Sequence, residues 1–185
     1  MPISDLFDLS DRVALITGGA GLLGVQHARV LADAGARVVL ADLDAAGAEE
    51  AAAAVTATFG RAALGLGCDV GDRASVEAMV ARAVAAFGRL DILINNAAMT
   101  VKGGGALAAS YFAPFEEYPL ALWEEAVRVN LTGAFLCCQA VGRQMVTQQR
   151  GAILNIASDV GVVSPDHRIY EGARSPHTGL PFNTP

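Results

Sequence analysis

The sequence predicts an α/β fold: a doubly wound parallel β-sheet of the Rossmann type, with helices on both faces. Five short apolar runs alternate with longer segments of helical composition between residues 12 and 158. Consecutive parallel strands require crossover connections, which helices of this length supply. A glycine-rich turn joins the first strand to the first helix. We expect five strands in the order 3-2-1-4-5.

The predicted strands are apolar along most of their length, as expected for strands that are buried on both faces. They cover residues 12–17, 37–42, 62–70, 90–97 and 151–158. Helices are predicted at 22–35, 45–60, 72–88 and about 120–149, and the first three end at a glycine. Asp72 is the predicted cap of the third helix, and Gly133 is a predicted weak point of the fourth.

The composition excludes several classes of protein. The net charge is −6 and Lys102 is the single lysine, which argues against a nucleic-acid surface because phosphate binding needs clustered basic residues. No apolar run is long enough to span a membrane, and the N-terminus lacks the basic segment of a signal peptide. The three cysteines lack metal-ligand spacing, so we expect buried thiols, no metal and a cytoplasmic location. His27 is expected to be a half-buried helix residue.

Residues 19–24 read Gly-Ala-Gly-Leu-Leu-Gly, a GxGxxG pattern between the first strand and the first helix. Glycine permits a tight turn and the close approach of a diphosphate to the backbone. The helix N-terminus behind the turn offers free N–H groups and the positive end of the helix dipole. This context favours a dinucleotide site, and the alternative is an ordinary strand-to-helix turn.

Asp42 ends the second predicted strand, 18 residues after Gly24. An acid at this place can accept hydrogen bonds from the adenosine ribose hydroxyls, and its charge repels a 2′-phosphate. No basic residue follows at position 43 or 44 to offset that charge. The sequence therefore predicts NAD in preference to NADP. The alternative role, capping the next helix, suits Asp44 better, and both can hold.

Five motifs in order resemble those of the short-chain dehydrogenase/reductase family. They are TGGAGLLG at Thr17–Gly24, CDV at Cys68–Val70, NNAA at Asn95–Ala98, the helix residue Asn130, and NIAS at Asn155–Ser158. The resemblance implies an NAD-binding domain over residues 1–160, followed by an irregular tail of the same domain over 161–185. It also implies an oxidoreductase that interconverts a small-molecule alcohol and a carbonyl, as a homo-oligomer in its full-length form.

The resemblance implies roles for individual residues. Ser158 is the implied catalytic serine, which hydrogen-bonds the substrate oxygen, and Asn130 is the implied asparagine that holds a proton-relay water. Asp69 is the residue implied to contact adenine. The full set of implied cofactor contacts is Gly18, Gly19, Gly21, Leu22, Leu23, Asp42, Asp69, Val70, Asn96 and Ala97.

Three features depart from the family pattern. Leu22 occupies a position where many members have glycine, a variation that also occurs in the family. The stretch between Asn96 and Asn130 is longer than usual and carries Gly103–Gly105; it is expected either to shape a substrate pocket or to be a surface excursion. The family also uses a tyrosine and a lysine in a Tyr-x-x-x-Lys segment, and the 185 residues contain no such segment.

Tyr170 lies 12 residues after Ser158, with Arg174 four positions later where the family has lysine. Gly172 between them and Pro176 after them disfavour the helix that would place both side chains on one face. The planar guanidinium is also a poor substitute for a compact ammonium. We therefore expect Tyr170 to be a loop residue near the substrate cleft and not the catalytic base.

Asn183-Thr184-Pro185 resembles the start of a helix, with Thr184 as its cap. The resemblance implies further strands after this helix, so we expect the chain to be an N-terminal portion of such an enzyme whose sheet has its C-terminal strands missing. We expect this portion to be inactive or weakly active by itself, with strand five as an unpaired edge. Two other classes stay open. One is a catalytically inactive module that binds a nucleotide or a partner. The other is a Rossmann-like methyltransferase, although the NNAA and NIAS motifs argue against it.

Overall fold

A computed structural model of the chain describes residues 6–99, 110, 113, 115–158, 161, 163, 166, 168 and 172–174. The chain divides into two compact units, Met1–Ala98 with Val129–Ile156, and Met99–Arg128 with Ala157–Pro185. Several predictions lie outside the described residues: those for Lys102, Gly103–Gly105, Tyr170 and residues 175–185.

The first unit is built on a parallel five-stranded sheet whose order, β3-β2-β1-β4-β5, confirms the predicted doubly wound arrangement. The strands are β1 Val13–Thr17, β2 Arg37–Asp42, β3 Ala63–Gly67, β4 Ile92–Asn95 and β5 Ala152–Asn155. The central strand β1 pairs with β2 on one side and with β4 on the other. The strand order therefore reverses between β1 and β4, which is where open α/β sheets bind their ligands.

The helices follow the predicted alternation with the strands. They are α1 Leu22–Asp33, α2 Ala45–Phe59, α3 Arg73–Phe87, α4 Leu120–Ala126 and α5 Ala134–Thr147. A 3₁₀ turn at Phe115–Glu117 precedes α4, and a π-helical segment, Val127–Gly133, lies between α4 and α5. The predicted long helix is thus present over nearly its whole length, but a π-helical segment that ends at Gly133 interrupts it.

Polar caps and glycines set the ends of α2 and α3 as the sequence predicts. The Asp44 carboxylate accepts a hydrogen bond from the Gly47 N–H at 3.0 Å, and Asp72 accepts one from the Ser75 N–H at 2.7 Å. Gly60 and Gly88 end these helices in the left-handed conformation, at φ of 65° and 78°. Only glycine adopts this conformation without steric cost, so the two glycines determine where the helices stop.

The side chains of β1 alternate between two cores, one on each face of the sheet. Val13 and Leu15 belong to a cluster with apolar residues of α3 and α5. Ala14 and Ile16 belong to a second cluster with apolar residues of α1 and α2. All four side chains are fully buried, as the period of two along a strand requires when both faces are covered.

Other sequence predictions concern the burial of the cysteines and of His27. Cys68 and Cys137 are buried as expected, whereas Cys138 is half-buried. Burial raises the pKa of the Cys137 thiol to about 12. His27 is half-buried within α1, as predicted.

Among the described residues, no helix combines the length and the apolar character that crossing a membrane would need.

Candidate cofactor site

The glycine loop begins directly after β1 and leads into α1. Gly18 has a φ of +65°, which turns the chain out of the strand. The Gly19 N–H then donates to the Ala41 carbonyl of β2 at 3.0 Å, and the Gly21 N–H donates to the Gly18 carbonyl at 3.1 Å. The loop is thereby fixed between the second strand and the helix start.

Close packing against backbone explains why this loop is rich in glycine. A Cβ atom added at Gly18 would lie 2.9 Å from the Ala97 Cα atom, and one at Gly19 would lie 2.7 Å from the Leu40 Cβ atom. At Gly24 an added Cβ atom would overlap the carbonyl oxygen of Gly18. These three glycines therefore let the loop lie directly on β2, on the residues after β4 and on its own helix.

The N-terminus of α1 presents backbone N–H groups beside the loop. Gly21 is the N-cap residue without a side-chain cap, and the Val25 N–H donates to the Gly21 carbonyl at 3.0 Å. The preceding N–H groups of Leu22, Leu23 and Gly24 have no carbonyl one turn earlier in the helix. Such groups, at the positive end of the helix dipole, suit a bound diphosphate. The side chains of Leu22 and Leu23 are exposed beside them.

Asp42 lies at the end of β2 with its carboxylate held by two backbone groups. Its Oδ2 atom accepts a hydrogen bond from the Ala20 N–H at 3.0 Å, and its Oδ1 atom accepts one from the Asp44 N–H at 3.1 Å. Each oxygen retains a lone pair for a further donor. The carboxylate is thus fixed beside the glycine loop in a position to accept hydrogen bonds from a diol.

Asp69 and Val70 follow the end of β3. The Asp69 Oδ1 atom accepts a hydrogen bond from the Gly71 N–H at 2.9 Å, and the Asp69 N–H donates to the Ser75 Oγ atom at 3.0 Å. Asp69 is half-buried and Val70 is buried at 8% exposure. The turn that carries both residues is therefore anchored to the start of α3.

Thr17 joins the glycine loop to the residues that follow β4. Its buried Oγ1 atom accepts hydrogen bonds from the N–H groups of Asn96 at 3.1 Å and Ala97 at 3.0 Å, and donates to the Ile94 carbonyl at 3.5 Å. The Asn96 side-chain amide in turn donates to the carbonyls of Thr17 at 3.0 Å and Gly18 at 3.2 Å. Asn96 and Ala97 are thus held against the start of the loop.

Asn95 connects β4 to β5 beneath this region. Its Nδ2 atom donates to the Asn155 Oδ1 atom at 2.8 Å and to the Cys138 Sγ atom at 3.2 Å. Its own Oδ1 atom is buried without a hydrogen-bond partner in the part of the chain that the structure describes. Two of the motif asparagines therefore have different surroundings: Asn95 is bound to the sheet, while Asn96 is bound to the loop.

The two residues implied to act in catalysis belong to different units. Asn130 is an exposed residue of the π-helical segment and lies in the first unit. Ser158 is an exposed residue of the second unit, and its carbonyl accepts a hydrogen bond from the Gly161 N–H at 3.1 Å. A place for Ser158 at the cofactor site stays a prediction, and Tyr170 lies outside the described residues.

The residues of the first unit fit a dinucleotide. The glycine loop, Asp42, the Asp69 turn and Asn96 all lie at the carboxyl ends of the four neighbouring strands β1 to β4, and the strand order reverses between β1 and β4. The loop carries no side chain at Gly18, Gly19 and Gly21, which suits the approach of a diphosphate, and the Asp42 carboxylate offers acceptors to a ribose. Sequence reasoning missed Thr17 and Ala20 as supports of this site, although a threonine at the end of a buried strand needs hydrogen-bond partners.

Comparison with known proteins identifies the family. The sequence profile described as short chain dehydrogenase matches residues 12–174. The chain belongs to the short-chain dehydrogenase family. The profile covers all five motifs, and the parallel sheet of the first unit is the fold that the resemblance implied.

The chain spans a little more than half the length of the relatives and the solved structure named below. The chain is 41% identical over 163 residues to the D-threitol dehydrogenase of Mycolicibacterium smegmatis, covering 88% of this chain and 58% of that protein. It is 38% identical over 154 residues to the 3-alpha-(or 20-beta)-hydroxysteroid dehydrogenase of Mycobacterium bovis, covering 83% and 54%. The structure of NAD⁺-bound xylitol dehydrogenase matches with a TM-score of 0.73 at 34% identity, covering 84% of this chain and 56% of that one.

Proposed function

We propose that the protein binds NAD at the carboxyl edge of the sheet and interconverts an alcohol and a carbonyl compound. Membership of the short-chain dehydrogenase family supports the class of reaction. The observation that carries the proposal is the fixed carboxylate of Asp42, held by the N–H groups of Ala20 and Asp44 beside the glycine loop. The nicotinamide, when bound, supplies the hydride acceptor or donor.

The preference for NAD over NADP follows from the charge and position of Asp42. Its two oxygens can accept hydrogen bonds from the ribose hydroxyls of adenosine. A 2′-phosphate would meet this negative charge in a fixed position, and the next two residues, Leu43 and Asp44, offer no cation to offset it. The match to an NAD⁺-bound xylitol dehydrogenase is consistent with a nicotinamide dinucleotide in this family.

The residues of the chain have separate tasks in this proposal. The N–H groups at the start of α1 bind the diphosphate, and the Asp69 turn binds the adenine end. Asn96 and Ala97 border the nicotinamide half because Thr17 holds them against the glycine loop. Ser158 donates a hydrogen bond to the substrate oxygen, and Asn130 holds a water that takes part in proton transfer.

We propose a small alcohol or its carbonyl counterpart as the substrate. The named relatives and the matched structure are dehydrogenases of threitol, hydroxysteroids and xylitol, all of which carry hydroxyl groups. A panel that includes polyols and cyclic secondary alcohols is therefore the appropriate starting point for an activity screen.

The Ser158→Ala variant tests the proposed chemistry in the longest available form of the protein. We expect turnover to fall by about 100-fold or more, because the hydrogen bond to the reacting oxygen is lost, while the NADH dissociation constant changes less than about twofold. Ser164→Ala, six residues later in the chain, is the matched control and is expected to leave both quantities unchanged.

Three results would contradict the proposal. Unchanged turnover in Ser158→Ala would remove this serine from the reaction, and loss of NADH affinity would make it a structural residue. NADH binding without turnover of any alcohol or carbonyl in the panel would favour a nucleotide-binding module that lacks chemistry.

A further inference from the structure

Gly133 ends the π-helical segment that carries Asn130, and its own backbone does not explain why it is glycine. Its φ and ψ of −60° and −47° are ordinary helical values that any residue adopts. Alanine is the better helix former at such a position. Gly133 is also buried, so a reason for the missing side chain is to be found in what packs against it.

Val70 is the residue against which Gly133 packs. A Cβ atom added at Gly133 would lie 2.8 Å from the Val70 Cγ2 atom, 3.2 Å from its Cβ atom and 3.3 Å from its carbonyl oxygen. Rotation of the valine side chain cannot relieve the last two contacts, because backbone geometry fixes both atoms. The valine is also stiff because its side chain is branched at Cβ. An added methyl group would therefore push the helix away from the turn after β3.

The same contact constrains Asn130. Val129, immediately before it, packs against the core cluster on the α3 face of the sheet, and Leu136 in the first turn of α5 is buried in that cluster. Asn130 itself is exposed between these anchors. Its position relative to the sheet is therefore set by Val129 on one side and by the contact of Gly133 with Val70 on the other.

We propose that Gly133 is a positioning residue for Asn130. Its missing side chain lets the π-helical segment lie directly on Val70, next to the adenine-end residue Asp69, and this contact holds Asn130 at the place where it serves proton transfer. The inference rests on the proposed function for the role of Asn130, whereas the contact with Val70 is independent of that role.

The matched control is Gly142 in α5. A Cβ atom added at Gly142 would have no neighbour within 4 Å among the described residues. Gly142→Ala therefore changes the same residue type in the same continuous helical stretch without a clash. It is expected to keep wild-type turnover and to raise the melting temperature slightly, because alanine favours the helix.

The test compares Gly133→Ala with Gly142→Ala in the longest available form of the protein. We expect Gly133→Ala to lower kcat by about 10- to 100-fold while the KM for NAD changes by less than about threefold, because a small misplacement of a group used in proton transfer affects mainly the chemical step. The side-chain amide signal of Asn130 in a ¹⁵N–¹H spectrum is expected to shift in Gly133→Ala and not in Gly142→Ala. Its assignment comes from the signal that disappears in Asn130→Asp.

A double variant provides a second test of the contact between Gly133 and Val70. Val70→Ala removes the closest of the three contacts and keeps the two milder ones, so Gly133→Ala is expected to lower kcat less in the Val70→Ala background than in the wild type. The amide signal is expected to return part of the way toward its original position. The proposal is overturned if Gly133→Ala behaves like Gly142→Ala. It is also overturned if Gly133→Ala lowers kcat by the same factor in the Val70→Ala background as in the wild type. If the unaltered protein has no dehydrogenase activity, the proposed function fails, and the amide signal still decides whether Gly133 positions Asn130.

Discussion

At the scale of the single residue, the Thr17 hydroxyl holds the end of β1 to the residues after β4. The hydroxyl accepts hydrogen bonds from two N–H groups and donates one to a carbonyl, and Thr17 is only 1% exposed. Water cannot easily replace these partners at so buried a position, so the groups would be left without hydrogen bonds if the hydroxyl were removed. Thr17 therefore supports both the fold and the placement of Asn96.

Thr17→Val tests this role, because valine has nearly the same shape and lacks the hydroxyl. We expect the free energy of unfolding to fall by about 2–3 kcal/mol, since two N–H groups lose their acceptor, and NADH affinity to fall as Asn96 moves. Thr17→Ser keeps the hydroxyl and is the control. Urea denaturation and NADH fluorescence titration measure the two effects, and equal behaviour of the two variants would refute the role of the hydroxyl.

Sequence reasoning selects Asp42 because it ends an apolar strand after the glycine loop, whereas Asp69 comes from the family resemblance. The long-range partners that hold the residues of the site could not be predicted in this way. Asn96 is 79 residues from Thr17 in the sequence, and Ala20 is 22 residues from Asp42. Contacts at such separations depend on strand register, which local composition does not encode.

At the scale of the elements, a buried acid fixes the start of β1 beside the start of β4. The Asp91 carboxylate is 4% exposed and accepts hydrogen bonds from the Val13 N–H at 3.0 Å and from the Arg89 guanidinium at 2.7 and 2.6 Å. Burial acts to raise the pKa of Asp91, but these hydrogen bonds and the charges of Arg89 and Arg12 outweigh it and hold the pKa below its ordinary value.

The lowered pKa of Asp91 predicts an acid-dependent loss of stability. Because the folded-state pKa is lower than the unfolded value of 3.8, the contribution is complete above that value and is lost as the pH falls through the folded-state pKa. Asp91→Asn is expected to cost about 2–3 kcal/mol at pH 7, since Arg89 loses its partner and is itself partly exposed. The difference between the two proteins should shrink below about pH 4.

The control for this experiment is Asp166, which forms an ion pair with Arg168 at the same spacing of two residues but on the surface. Exposed pairs of this kind are screened by solvent, so Asp166→Asn should change stability little at any pH. Urea denaturation between pH 7 and pH 3 measures both variants. A constant difference between the wild type and Asp91→Asn across this range would contradict the account.

The helix caps were predictable because they depend on local residue types, as at Asp44, Asp72, Gly60 and Gly88. The end of β3 was not: the apolar run suggested residues 62–70, whereas the strand is Ala63–Gly67. Its partner β2 ends at Asp42, which pairs with Gly67, so the ladder stops there regardless of the apolar residues that follow. The weak point at Gly133 was visible in the sequence, but its packing on Val70 was not, because that is a tertiary contact between residues far apart in the chain.

At the scale of the whole molecule, the proposed cofactor site of the first unit follows from topology. A parallel sheet with its order reversing between β1 and β4 brings the glycine loop, Asp42, Asp69 and Asn96 to one edge. The alternation of strands and helices was sufficient to predict that edge. The roles of Ser158 and Asn130 came from the family motifs, because a serine or an asparagine alone carries no periodic signal, and both roles stay predictions.

The charge of Asp42 connects this topology to the choice of cofactor. Without this carboxylate the Ala20 N–H loses its acceptor, but the hydrogen bond from the Gly19 N–H to the Ala41 carbonyl still holds the glycine loop on β2. The N-terminus of α1 should therefore keep its affinity for the diphosphate. What the site would lose is the hydrogen bonding to the ribose hydroxyls and the repulsion of a 2′-phosphate. NAD and NADP should therefore respond in opposite directions to the same substitution.

The central claim is tested most directly by equilibrium titration of the chain with NADH and with NADPH, in the wild type, in Asp42→Ala and in Asp44→Ser. We expect the wild type to bind NADH at least about tenfold more tightly than NADPH, Asp42→Ala to bring the two affinities to within about threefold, and Asp44→Ser to keep most of the preference. Equal affinities in the wild type, or a preference that survives in Asp42→Ala, would contradict the proposed cofactor site.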